Sequence, residues 1–182
     1  MFGSVQMTMI GVSIIKGERP GAMEWVGLSI AGAGLVYLVS PGLSAPPVWA
    51  ALLMAAAGVA WGFYTLRGKG SGDPLGDTAG NFVRSVPMVL IAAVPFLAQI
   101  SVTTRGAVLA VLSGAVASGV GYTVWYRALR GLTATRAAAV QLSVPVIAAA
   151  GGVVLLAEAA DVRLLIAGAL VLGGIGIVIL RK

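Results

Sequence analysis

The chain has no histidine and no cysteine, and its six carboxylates, Glu18, Glu24, Asp73, Asp77, Glu158 and Asp161, fall in the turns between long apolar runs or, for Glu24, at the very start of one. The commonest metal ligand and general base is therefore missing, thiolate and disulfide chemistry is excluded, and the usual acid/base pairs cannot be assembled within a run. Expectation moves from catalysis to binding, without cofactor or metal. The polar and pliable residues within the apolar runs are Gly58, Trp61 and Tyr64 in residues 47–66, Ser118, Gly119 and Tyr122 in 106–126, and Gln141, Ser143 and Pro145 in 137–157. Gln141 carries two donors and an acceptor, so it is costly toward lipid and is expected to face protein or a cavity. Pro145 has no N–H and leaves the carbonyl near Gln141 without its intrahelical partner. Ser118, Gly119 and Gly121 loosen their own run, while Trp61, Tyr64 and Tyr122 offer rings on which an organic solute can stack. These nine are the candidate solute-cavity residues. The alternative for the small ones is packing, since Gly58 with Gly62, and Gly114 with Ser118, have the small-xxx-small spacing that lets helices approach closely.

The elements that must carry them follow from composition. Only 10% of residues are charged, 59% are hydrophobic, and the mean hydropathy is +1.00; soluble domains carry charge on about a quarter of their residues. A hydrocarbon core of roughly 30 Å needs about 20 apolar residues as a helix. Seven runs are read as transmembrane helices: about 1–15, which is short, then 23–40, 47–66, 82–101, 106–126, 137–157 and 163–180. They lack the two-residue alternation of a lipid-facing strand. The predicted class is an all-α membrane protein. At about 1.5 Å per residue, Gly58, Ser118 and Pro145 each lie roughly 13 Å from the nearest basic flank, close to the midplane of a bilayer. The loop 67–81, "RGKGSGDPLGDTAGN", is expected to be a flexible linker; its Gly68-Lys69-Gly70 lacks the spacing and the following Ser or Thr of a phosphate loop.

Lys16, Arg19, Arg67, Lys69, Arg84, Arg127, Arg130, Arg136, Arg181 and Lys182 fall in loops of one side, whereas Arg105 and Arg163 fall in the alternate loops. By the positive-inside rule the first side is cytoplasmic, with the C-terminus in. The expected location is the cell (inner) membrane, crossed many times. The net charge of +6 is thus a topology signal with attraction to anionic lipid, not a nucleic-acid footprint. Trp25, Trp49, Trp125 and Tyr126 are expected at the headgroup level. Glu18 and Glu158 are expected to cap or brace the turns that hold them.

Laying the chain over itself at an offset of 140 pairs Gly11 with Gly151, Glu18 with Glu158 and Gly34 with Gly174. The first two helices thus read as a copy of the last two, in opposite orientation by loop charge, as in the inverted repeats of many carriers. The hairpins "VSIIKGERPGAMEWVGLSIAGAGLVYL" and "VVLLAEAADVRLLIAGALVLGGIGIVIL", with the passage "ASGVGYTVWYRALRGLTATRAAAVQLSVPV", resemble the EamA type of the drug/metabolite transporter superfamily. The resemblance implies ten helices in two inverted five-helix domains, a central cavity, and movement of small metabolites by alternating access. It divides the chain into 1–41, the last two helices of a first repeat, a periplasmic linker at 42–46, and 47–182, a complete second repeat. On this reading roughly 93 residues of the first repeat precede the chain.

The function expected is a carrier, or the C-terminal portion of one, moving a small organic metabolite or drug-like solute. The expected partners are the lipid bilayer, the solute, and either a second copy of the chain or the missing N-terminal helices; nucleic acid is not among them. The competing expectation is a non-transporting membrane subunit or remnant. A small exporter paired in opposed orientations is disfavoured by the one-sided charge, and a retinal-type receptor by the lack of a lysine within a span.

Overall fold

The computed structural model describes residues 1–40 and 47–180, and in it the apolar runs are helices. They are α1 (Phe2–Ile15), α2 (Ala22–Val39), α3 (Val48–Gly70), α4 (Pro74–Ala93) continued by a 3-10 segment Val94–Gln99, α5 (Thr104–Val111), α6 (Ser118–Leu129), α7 (Ala134–Gln141), α8 (Ser143–Leu156) and α9 (Val162–Leu180). A π segment, Leu112–Ala117, joins α5 to α6. Counting Pro74–Gln99, Thr104–Leu129 and Ala134–Leu156 as continuous spans, six helical stretches among the described residues are long and apolar enough to cross a membrane, and the 14-residue α1 is shorter. The expected linker 42–46 and the basic residues Arg181 and Lys182 lie outside the described residues.

The linker expected at 67–81 is largely helix. α3 runs through Gly70, and α4 begins at Pro74. The Asp73 carboxylate accepts from the Gly76 N–H at 3.0 Å, and Pro74 takes the first helical position, where its missing N–H is no loss. Ser71 Oγ donates to Asp77 at 2.6 Å. Composition suggested flexibility, but Asp-Pro is a helix start signal, and it prevails.

The chain divides into two compact units, Met1–Leu66 with Leu132–Lys182, and Arg67–Gly131. In the first, α2 and α9 are antiparallel at close range. A Cβ on Gly27 would meet the Gly174 carbonyl at 2.6 Å, and one on Gly34 would meet Leu170 at 2.8 Å and Val171 at 3.0 Å. Ala31, Leu142, Val146, Val171 and Ile175 form the buried cluster beside this crossing. Lacking a hydrophobic drive between helices in lipid, such contacts rest on dispersion, which falls steeply with separation, so small residues at the crossing set how much is gained. α1 runs parallel to α3: Gly58 lies against Met1 and Ser4, and Gly62 against Val5 and Thr8. At the far end of α2, Arg163 Nε donates to the Tyr37 carbonyl at 2.7 Å, with its guanidinium 5.0 Å from the centre of the Tyr37 ring.

In the second unit the Phe82 ring of α4 meets Tyr122 of α6 edge-on at 5.7 Å, and Tyr122 stacks on Tyr126 at 5.8 Å. Tyr126 packs on Gly68 and is buried. Val83, Met88 and Ile91 of α4 are 71%, 70% and 72% exposed. A surface of this kind is suited to lipid and not to water.

Candidate functional site

The helix over 134–156 is interrupted where proline chemistry requires it. Pro145 cannot donate to the Gln141 carbonyl, and the α-helical hydrogen-bond ladder lapses at Leu142, whose backbone stays in the right-handed helical region (φ −66°, ψ −17°). The Leu142 N–H donates to Ala139 O at 3.0 Å, one residue short of its α-helical acceptor. Ser143 Oγ donates to Val140 O at 2.7 Å. The Ala138 carbonyl is met from another helix: Gln6 Nε2 of α1 donates to it at 3.4 Å. Gln6 and Gln141 are both 8% exposed, so two amide side chains are buried on either side of the break. Gln6 Oε1 is buried without a hydrogen-bond partner, and so is Thr65 Oγ1 on α3. A buried polar atom left unpaired costs about 1–3 kcal/mol, so each is a point of stored free energy in this arrangement.

The end of α7 facing the α1–α2 turn is held by carboxylates. Glu18 Oε1 accepts from the Ala134 N–H at 3.1 Å, and Oε2 accepts from Thr135 Oγ1 at 3.4 Å. Thr133 Oγ1 accepts from the Arg136 N–H at 3.2 Å, so the N-terminus of α7 has donors satisfied by its own cap and by another helix pair. Arg136 Nε donates to Glu24 Oε1 at 3.2 Å with both side chains partly buried. Glu24 also accepts from the Gly21 N–H at 3.0 Å and so starts α2. Glu18 does cap a helix, but the helix is α7, more than a hundred residues away, rather than either helix of its own turn. Glu158 stays local: its N–H donates to Gly152 O at 3.3 Å and its carboxylate lies over Gly152.

The second interruption lies in the middle of Thr104–Leu129. Through the π segment Ser118 Oγ donates to Ser113 O at 3.0 Å, five residues back. A π segment inside a helix widens one turn, and it falls immediately before the Ser118, Gly119 and Gly121 that sequence reading marked as pliable.

Six candidates thus belong to the first unit. Gly58 and Gln141 are buried, and Trp61, Tyr64, Ser143 and Pro145 are half-buried. Trp61 and Tyr64 have ring centres 5.8 Å apart. Gly58 touches α1 directly, which is the packing alternative raised for it. Ser118, Gly119 and Tyr122 belong to the second unit, where Ser118 and Tyr122 are half-buried and Gly119 is exposed. Among the described residues no group of histidine, cysteine, aspartate and glutamate is placed to hold a metal. Sequence reading missed Gln6, Thr65 and the Glu24–Arg136 pair. Gln6 had a signal, being the one amide in an otherwise apolar and hydroxyl-bearing run 2–15; the ion pair had none, because its partners are separated by 112 residues.

Residues 48–180 match the EamA-like transporter family. An uncharacterized protein of Pseudomonas aeruginosa is 48% identical over 179 residues, 98% of this chain and 62% of its own length. An uncharacterized transporter of Archaeoglobus fulgidus is 31% identical over 179 residues, 93% of this chain and again 62% of its own length. The uncharacterized inner membrane transporter YedA of Escherichia coli is 28% identical over 116 residues, 64% of this chain and 37% of its own. The chain therefore spans 62% of the length of the first two relatives. No solved structure is a significant match.

Proposed function

We propose, from the premise that this chain belongs to the EamA-like transporter family, that it carries the solute-binding portion of a transporter for a small organic solute in the inner membrane. The chain is a multi-pass membrane protein, and relatives are named as transporters. The observation that carries the reading further is the pair of interrupted spans, at Leu142–Pro145 and at Leu112–Ala117. Broken helices at membrane depth free backbone groups that only protein or an aqueous cavity can satisfy, and carriers bind solute at such breaks. The proposed mechanism is alternating access with no enzymatic step; Gly58, Trp61, Tyr64, Gln141, Ser143 and Pro145 are the solute-contact candidates of the first unit, and Ser118, Gly119 and Tyr122 those of the second, each unit taken by itself.

The inverted arrangement, with 1–41 ending a first repeat and 47–182 forming a second, belongs to the same proposal. It is supported by the antiparallel packing of α2 on α9. A Cβ on Gly174 would meet Ala31 N at 2.6 Å, and one on Gly34 would meet Val171 N at 3.0 Å. At the offset of 140, Ala31 corresponds to Val171 and Gly34 to Gly174, so these are one contact seen from each copy. A C-terminus in the cytoplasm is supported by Lys16, Arg19 and Arg136 lying at one end of the first unit, with Arg163 at the other. In this proposal a second copy of the chain, or additional chain such as the longer relatives have, completes the carrier. The other reading is a membrane subunit that does not itself transport.

The test is flux. Cells expressing the full natural gene and cells carrying an empty vector are compared by mass spectrometry of medium and cytosol, with membrane insertion checked by blotting. The wild type is expected to change the distribution of a small set of solutes, and Gln141→Ala and Ser118→Trp to reduce that change at least tenfold at equal insertion. Normal flux in both variants removes the proposed site; no flux in the wild type favours the non-transporting subunit.

A further inference from the structure

We propose that Gln6 is a solute-contacting residue, and that the seam between α1 and α7 parts to let its side-chain oxygen accept a hydrogen bond from a solute bearing an amine or hydroxyl donor. This rests on the carrier reading above and names the solute class.

Gln6 differs from the other polar residues of α1. Thr8 Oγ1 donates to Ser4 O at 2.8 Å and Ser13 Oγ to Ile10 O at 2.8 Å, both within their own helix. Gln6 instead reaches across to α7, giving its amide N–H to the Ala138 carbonyl beside the helix break. That use fixes which end of the amide faces α7, and it leaves Oε1 buried with no donor. An acceptor in this position is complemented by an N–H or O–H, not by a carboxylate or phosphate oxygen. Charge points the same way. α1 contains no charged residue, and within Ala134–Leu156 the one charge is Arg136, which lies in the first turn of α7 and is paired with Glu24. A charge of either sign brought to the depth of Gln6 would meet no counter-charge on α1 or within 137–156, and an unpaired buried charge is strongly disfavoured. The group that meets Gln6 is therefore uncharged and carries at least one hydrogen-bond donor.

The chain has no cysteine, so single cysteines report on the seam directly. Only thiolate reacts with N-ethylmaleimide, and thiolate forms in water but not in hydrocarbon. Gln6→Cys is expected to be alkylated in native membranes at least tenfold faster than Met7→Cys, its chain neighbour, which is 79% exposed on the outer face of α1. Ala138→Cys, fully buried on the α7 side of the seam, is expected to react similarly faster than Val144→Cys and provides the readout if Gln6→Cys does not fold. In the flux assay, Gln6→Leu is expected to lose at least tenfold of the export or uptake while Gln6→Glu, which keeps an acceptor, retains at least threefold more than Gln6→Leu. Labelling at Gln6→Cys and Ala138→Cys no faster than at their lipid-facing controls overturns the proposal, as does a transported solute that is an anion without donors. If the wild type moves no solute but the seam is labelled, the carrier reading fails while the aqueous opening of the seam stands.

Discussion

Glu18 shows how a single carboxylate can organise distant chain. Its residue type in a turn between two helices suggested a local cap, and the physical role is a cap, because the exposed N–H groups at a helix N-terminus and their partial positive charge attract a carboxylate wherever it comes from. The structure sends it to Ala134 and Thr135 of α7. Glu18→Ala is expected to destabilise the detergent-solubilised protein by about 1–2 kcal/mol, the usual scale for loss of a capping side chain, read as a lower Tm. Glu18→Gln, which still accepts from the Ala134 N–H, recovers part of the loss. An unchanged Tm for Glu18→Ala shows that the contact does not hold α7 in place.

At the scale of elements, the α2–α9 pair is the tightest helix crossing described, and its tightness depends on where Cβ atoms are absent. Gly174→Leu drives a side chain into the backbone of Gly27 and Ala31 and is expected to cost about 1–3 kcal/mol or more, the range for overpacking a filled interface. Gly173→Leu, one residue away, meets nothing within 4 Å and is expected to shift stability by less than about 0.5 kcal/mol. Thermal unfolding followed by size-exclusion chromatography distinguishes them; equal losses contradict the packing. The two adjacent glycines look alike in the sequence. Only the partner helix tells them apart.

For the whole molecule the testable property is orientation. Arg19→Cys and Asp161→Cys lie at opposite ends of the first unit. With a membrane-impermeant maleimide, Asp161→Cys is expected to label in intact cells and Arg19→Cys only after the membrane is opened. The reverse pattern inverts the proposed topology. The prediction comes from the charge bias of the loops, and the first unit places Lys16, Arg19 and Arg136 together for a reason that charge counting does not contain: Glu18 and Glu24 of one hairpin pair with the start of α7.

The sequence by itself determined the class and the limits of most apolar spans, and it marked Pro145 as the place where one of them loses a backbone hydrogen bond. Each follows from local physics: backbone groups in hydrocarbon must pair within a helix, a proline removes one N–H wherever it stands, and Asp73-Pro74 starts a helix even inside a glycine-rich stretch whose composition suggested a linker. The tertiary structure alone decided what lies opposite. Whether Gly58 faces α1 or a cavity, which of Gly173 and Gly174 is filled, that Glu24 meets Arg136 and that Gln6 is left with an unpaired oxygen are all relations between residues far apart in the chain. An apolar run constrains its own helix strongly, but in lipid nearly every face of it is acceptable to the solvent. Hydrophobic patterning therefore cannot choose the partner, and the choice rests on shape and on a few polar pairs that become visible only once the helices are packed.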